Sequence, residues 1–311
     1  MTIPLVSVII PAYNHEKYIV RCLKSVYQSE YNNIELIVLD DGASDNTFEL
    51  ASDWIGDNKD RFKRAIIKKQ KNAGVCTTLN RLVALSKGDF ITPVASDDMM
   101  SPDGITKRIN YLLDNQSLLA VFGNAYLIDE SDRIISRDFI ADYYNSSKKA
   151  LKNPGLITSE LILNWCVPGP VFMARREAYD PGKGVGLYDE SLVGEDRDFY
   201  LRLLSKNLLG FIDENVALYR QTPSSLSRNH ANGLRVLPYW IESDYKNLEA
   251  FHGFNKVFLR FIAFKKSREL EYLKKRTIGR RIIKILFNIL NILIYRIHLV
   301  RVSIICMFIP A

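Results

Sequence analysis

Three acidic pairs stand out in the chain: Asp40-Asp41, Asp97-Asp98 within Ser96-Asp97-Asp98, and Glu195-Asp196. The first two each follow a short run rich in Val and Ile. A strand ending there delivers carboxylates to the rim where open α/β sheets bind their ligands. Such a rim suits a divalent cation, Mn2+ or Mg2+, which binds few protein oxygens and takes the rest from substrate phosphates. A lone pair of aspartates at a strand end is more often a solvated turn or a helix cap; two pairs after two strands favour a site. Glu195-Asp196 opens a helical segment, where the helix dipole favours carboxylates and lowers their pKa.

The usual phosphate cradles are missing from the sequence. Only Gly42 and Gly56 occur in the first sixty residues, so no GxGxxG turn follows the first strand, and no GK[ST] loop is present. Cys22, Cys76, Cys166 and Cys306 are scattered, with no CxxC pair, which points away from a disulfide framework or a zinc site and toward a reducing compartment.

The elements that must carry these residues alternate between apolar runs and helical period, the signature of an α/β fold with a mostly parallel sheet flanked by helices. Strands are expected at 5–11, 34–39, 65–68, 90–94, 119–128, 171–174 and 211–219. Helices are expected at 15–29, after Ser44, at 75–86 and at 196–206. Another should start at Ser101-Pro102, with Ser101 as N-cap and Pro102 in the first turn. Residues 138–168 are polar and punctuated by Pro and Gly, and read as a loop-rich acceptor side. With 311 residues, 47% of them hydrophobic and 25% charged, the chain accommodates one large domain over 1–230 and a helical appendage over 231–311.

The segment VSVIIPAYNHEKYIVRCLKSVYQSEYNNIELIVLDDGASDNT resembles the opening block of family 2 glycosyltransferases of the GT-A fold. NAGVCTTLN, KGDFITPVASDDMMSPD, VPGPVFMARREAY and YDESLVGEDRDFYLRL resemble that family's later blocks in order, so the likeness covers roughly 5–230. The resemblance implies an inverting transferase that uses a nucleotide-sugar donor, with a UDP-sugar favoured. It implies that Pro11, Tyr13 and Asn14 line the donor site beside Asp40 and Asp41, with Tyr13 offering a π-face to the base and Asp41 accepting from the base's ring N–H. Asn72 and Asn80 belong to the block that closes over the donor. Asp97 would meet the ribose and Asp98 the metal. Asp196 would be the general base, with Glu195 positioning the acceptor. Two departures bear on the metal: Ala95 replaces a frequent aspartate, and Thr222 a frequent histidine, so that Arg220 or Arg228 is expected to neutralise the diphosphate.

Net charge is +7, yet eleven basic and two acidic residues fall within 265–301. The basicity is a property of the tail, and nucleic acid is not an expected partner. Between Lys284 and Arg296 lie eleven uncharged residues, short of the ~20 a spanning helix needs. Thr277, Arg281, Lys284, Asn288, Asn291, Tyr295 and His298 form a narrow polar stripe on an otherwise aliphatic helix over about 277–309. Such a helix suits the surface of an anionic membrane, with packing on its own domain or in a homo-oligomer as the alternative. Phe254, Phe258, Phe261 and Phe264 are expected as core between appendage and catalytic domain. The sequence thus points to a cytoplasmic enzyme, peripheral on the inner face of the plasma membrane, which acts on a glycan or lipid-linked acceptor in surface polysaccharide synthesis. The rivals are an inactive nucleotide-binding scaffold, a nucleotidyltransferase, which would display a Gly-rich basic loop, and a processive synthase, which would need several long apolar spans.

Overall fold

A computed structural model describes residues 3–167, 169–222 and 230–308, without the side chains of Glu195, residues 230–233, 307 and 308. The chain forms two compact units interleaved in sequence: Met1–Phe139, Val167–Ser191 and Phe211–Gln221 in one, and Ile140–Cys166, Leu192–Gly210 and Thr222–Ala311 in the other.

The first unit opens with β1 (Val6–Ala12), α1 (Ile19–Tyr27), β2 (Ile34–Asp40), α2 (Thr47–Asn58), β3 (Arg64–Lys69), α3 (Val75–Leu85) and β4 (Phe90–Pro93). All seven residues of β2 are buried, as expected of a strand covered on both faces. Glu35 within it is satisfied by Arg64 at 2.9 Å, Gly88 N–H at 3.0 Å and Ser7. Helix α1 buries Ile19, Cys22, Leu23 and Val26 against this sheet. Then come β5 (Met99–Met100), α4 (Gly104–Asp114), β6 (Ala120–Ile128) and β7 (Ile134–Ser136).

Helix α4 starts later than Ser101-Pro102 predicts. Asp103 precedes its first residue, and a Cβ on Gly104 would lie 2.1 Å from the Val216 carbonyl oxygen. Ser101 and Pro102 instead form the approach turn, where Pro102 accepts from Glu30 N–H at 2.8 Å.

Residues 138–168 are more regular than their polarity suggests. They contain α5 (Lys148–Lys152) and α6 (Ile157–Leu163). Every residue of α6 is buried, so it lacks the amphipathic period by which a helix is read. The remaining elements are β8 (Phe172–Arg175), α7 (Glu195–Ser205), β9 (Leu209–Arg220), α8 (His230–Asn247), α9 (Gly253–Lys274) and α10 (Ile278–Phe308).

The strands order as β3-β2-β1-β4-β8-β6-β9-β5, with β7 on β6. Pairings are parallel among β3, β2, β1 and β4 and antiparallel for β4 with β8, β8 with β6 and β5 with β9. The four parallel strands bring the turns after β1, β2, β3 and β4 to one rim.

In the second unit, α10 leaves its aliphatic side uncovered. From Lys284 on, its polar stripe faces the protein, whereas Thr277 and Arg281 are exposed: Lys284 pairs with Glu269 at 3.0 Å, and Tyr295 Oη and His298 Nε2 meet the fully buried Glu160 at 2.6 and 3.0 Å. The aliphatic side is exposed, with Ile297 at 70% and Ile282, Ile289 and Leu293 near half. The helix also has the length and apolarity of a membrane span, with mean hydropathy 1.8 in its best window and 11% of that window buried. The eleven-residue interval understated this, because the apolar run resumes beyond Arg296. Nor do the four phenylalanines make a core: Phe254 is 66% exposed, while Phe261 and Phe264 pack on Phe287 of α10.

Candidate active site

At the rim of the first unit, β1 ends in Pro11 and Ala12, and Tyr13 follows, 47% exposed. Asn14 takes a positive φ of 52°, and its Oδ1 accepts from Ser44 N–H at 2.8 Å and Ser44 O–H at 3.2 Å. This left-handed kink, tolerated by Asn, ties the turn after β1 to the turn after β2.

The pair after β2 divides its labour. Asp40 is fully buried, and its Oδ1 accepts from Gly42 and Ala43 N–H, both at 3.0 Å; it holds the turn. Asp41 binds the loop after β3, with Oδ1 accepting from Gln70 Nε2 and Ala73 N–H at 2.8 Å and Oδ2 from Gly74 N–H at 3.0 Å. Gly42 makes this closure feasible. Its φ is +79°, and a Cβ there would stand 2.8 Å from Asn72 N. Asn72 is exposed on the loop so held.

Asn80, on α3, is buried and committed to the protein. Its Nδ2 donates to Tyr188 O and Glu190 Oε1 at 2.9 Å, while its Oδ1 accepts from Tyr188 N–H at 3.0 Å. These bonds, with Thr77 to Glu190 at 3.0 Å, pin the segment around 188–190, so Asn80 shapes the rim through its neighbours.

After β4, Ser96 and Asp98 are buried and Asp97 keeps 21% exposure. Asp98 Oδ1 accepts from Arg220 N–H at 2.7 Å, and its Oδ2 has no hydrogen bond among the described residues. Burial and the Asp97 carboxylate push the Asp98 pKa well above the usual carboxylate range, against the opposing pull of Arg220. Two crowded carboxylates with one open oxygen fit a cation, which would relieve their repulsion. No cluster of three or more His, Cys, Asp or Glu suited to a metal exists among the described residues, so such an ion would rely on phosphate and water for its other ligands. His15, unremarked by spacing, meets Ser96 Oγ at 2.8 Å through Nδ1 and stands 3.8 Å from Asp97 Oδ1.

Arg220 is a clamp, and its burial overturns its expected role as a diphosphate cation. Only 1% exposed, it donates to Asp97 O at 2.7 Å and Asp129 O at 2.8 Å, pairs with Asp132 at 2.5 Å and lies over the Tyr18 ring at 4.8 Å. Its fork fixes the acidic turn from behind. Thr222 is buried; Arg228 and the side chain of Glu195 lie outside the described residues.

The second unit carries Asp196 at the start of α7, after Gly194 with φ +108°. Asp196 Oδ1 accepts from Arg197 N–H at 2.7 Å. Burial raises its pKa, outweighing the lowering by Arg197, so the helix end does not cancel its basicity. Behind it lies a network that spacing did not reveal. The fully buried Asp244 holds Arg197 Nε at 2.6 Å and Lys266 Nζ at 2.8 Å, Arg197 stacks on Trp165 at 5.4 Å, and Lys266 on Trp240 at 5.4 Å. Burial, with Arg197 adding repulsion, brings the Lys266 pKa down to about 7.

Against known proteins, the family described as Glycosyl transferase family 2 matches residues 7–181. The chain is 31% identical to an Escherichia coli chondroitin synthase over 65% of its own length, spanning 26% of that relative. It is 29% identical to the glycosyltransferase GlyG of Streptococcus pneumoniae, covering 72% of this chain and 73% of GlyG. Among solved structures, a Pyrobaculum calidifontis mannosyltransferase in complex with GDP-Man and Mn2+ superposes with TM-score 0.64 at 15% identity, over 96% of this chain and 83% of the other. Residues 1–349 of Staphylococcus aureus TarS give 0.61 at 16%, over 89% and 77%. At these identities the likeness establishes the fold, that of GT-A glycosyltransferases.

Proposed function

Because the chain belongs to glycosyltransferase family 2, we propose that it transfers a single sugar, with inversion, from a nucleoside-diphosphate donor to a hydroxyl of a glycan or lipid-linked acceptor in bacterial surface polysaccharide synthesis. The observation that carries this reading is the rim at the ends of β1, β2 and β4, where an exposed Tyr13, the loop held by Asp41 and the crowded Asp97-Asp98 pair converge on one edge of the sheet. TarS has been solved with UDP and with UDP-GlcNAc, which supports a nucleotide-sugar donor, and a UDP-sugar is the form we favour.

In this reading the catalytic domain spans 1–230, with 231–311 as its helical appendage. The Tyr13 ring stacks on the base, and the carbonyl and amide groups of the turns after β1 and β2 border it. Asp98 and Asp97 would hold one Mn2+ or Mg2+, which when bound supplies Lewis-acid stabilisation of the departing diphosphate. Asp196 takes the proton of the acceptor hydroxyl at Oδ2, since Oδ1 already accepts from Arg197 N–H. The acceptor oxygen then attacks the anomeric carbon from the face opposite the leaving diphosphate, so one displacement inverts that centre. Glu195 positions the acceptor. The enzyme works from the cytoplasm on the inner face of the plasma membrane, held there by its C-terminal helix.

The test is nucleoside diphosphate release from a panel of sugar donors with Mn2+, alongside Asp98→Ala and Asp196→Asn. Turnover that survives both substitutions unchanged would sink the assigned roles.

A further inference from the structure

Helix α10 carries no acidic residue, and none occurs from 272 to 311. On its outward side Ile282, Ile285, Ile289, Leu293, Ile297 and Ile304 are each 46–70% exposed. Arg296 and Ser303 are the exposed polar residues among 282–304. Aliphatic surface of this extent is rare on a protein that meets only water. Interfaces with other proteins favour aromatic, Met and Arg side chains and carry regular hydrogen bonds; this face is nearly all Ile and Leu. A second copy docked by two-fold symmetry would also gather like charges, since Lys274, Lys275, Arg276, Arg281 and Arg296 are all exposed.

We propose that α10 is an in-plane membrane raft: its aliphatic face seats in the hydrocarbon of an anionic leaflet while its polar stripe from Lys284 to His298 turns to the protein beneath it. This deepens, and rests on, the membrane placement proposed above by naming the face and its orientation. Complementarity of charge selects the partner, because the exposed basic residues along the helix meet acidic headgroups.

The same contacts decide between lying in the membrane and crossing it, a choice that length and hydropathy leave open. The helix is tied to its own unit along its length. Lys284 holds Glu269, Phe287 packs on Phe261 and Phe264, Tyr295 and His298 hold Glu160, and Val302 packs with Ala150 and Leu156. From 284 to 302 this is about 27 Å of helix at 1.5 Å per residue. Crossing would break these bonds or draw Glu160 and Glu269 into hydrocarbon, which is costly for charged groups.

The experiment is flotation of the full chain with phosphatidylcholine vesicles lacking or containing phosphatidylglycerol, and of the double variant Leu293→Asp/Ile297→Asp, with circular dichroism as the check on folding. Both residues are exposed, so the fold should persist while partition falls by at least about tenfold. An epitope after Ala311 should stay open to protease added outside sealed vesicles. Loss of wild-type flotation even on phosphatidylglycerol would overturn the membrane placement itself. Undiminished flotation of a folded double variant would overturn the face alone, and a protected epitope the in-plane orientation. A stable dimer by light scattering with no flotation would assign the face to a second copy.

Discussion

Replacing Arg220 by lysine separates two roles that its charge alone cannot distinguish. The guanidinium serves Asp97 O, Asp129 O and the Asp132 carboxylate from a fully buried position. An ammonium keeps the charge but lacks the planar fork, so it cannot serve both backbone carbonyls and leaves about one without a partner, while the partly exposed Asp132 keeps Arg21 at 3.3 Å. A buried acceptor left unpaired costs about 1–3 kcal/mol, divided between global stability and the geometry of the acidic turn. If about 1.4 kcal/mol of that falls on the turn, donor affinity drops tenfold. The assay is nucleoside diphosphate release against donor concentration, with a urea melt in parallel. Arg220→Lys should raise the donor KM at least about tenfold and lower the melt midpoint, matching Arg220→Met in both. A lysine variant within about twofold of wild type, beside an inactive methionine variant, would refute the clamp, because a cation serving the diphosphate tolerates lysine.

Other expectations follow from the same geometry. Gly42→Ala places a Cβ 2.8 Å from Asn72 N at φ +79°; it should lose about 1–3 kcal/mol of stability and weaken donor binding, and a thermal shift within error of wild type would exclude the close approach. Asp244→Asn leaves Arg197 buried without its carboxylate, and chemical denaturation should register a loss of about 3 kcal/mol, the low end for a broken buried pair because Lys266 can neutralise. Lys266 binds its proton less tightly when folded, about 7 against 10.5. Between those values the unfolded chain holds more protons, so stability rises with pH across that window. Melting from pH 7 to 9 should show wild type gaining on Lys266→Met, and parallel curves would contradict the burial of a titrating amine. Asn80→Ala frees the Tyr188 backbone and Glu190 and should cost about 1–3 kcal/mol, measurable by urea melt, even in the absence of donor.

The order of strands and helices over the first hundred residues could be read directly because local forces set it. Val6–Ala12 and Ile34–Asp40 are buried runs of strand length, and α3 begins and ends within a residue of its expected bounds. The acidic pairs were legible for the same reason, since the end of an apolar run fixes where a parallel strand delivers its next side chains. The partners of those side chains were not legible. Asp98 meets Arg220 across 122 positions and Asn80 meets Tyr188 across 108, distances at which no periodicity carries information.

The tail marks the same divide. Sequence alone determined that α10 has a narrow polar stripe and a broad aliphatic face, because a repeat near 3.6 residues fixes which side chains share a side. Only tertiary structure decided which side turns inward. Glu160, in a fully buried helix that the sequence pattern did not reveal, needs hydrogen-bond donors, and Tyr295 and His298 supply two beside the Ser147 N–H. A buried carboxylate left with the Ser147 N–H alone would cost more than leaving the aliphatic face outside, and that balance is struck between residues 135 and 138 positions apart.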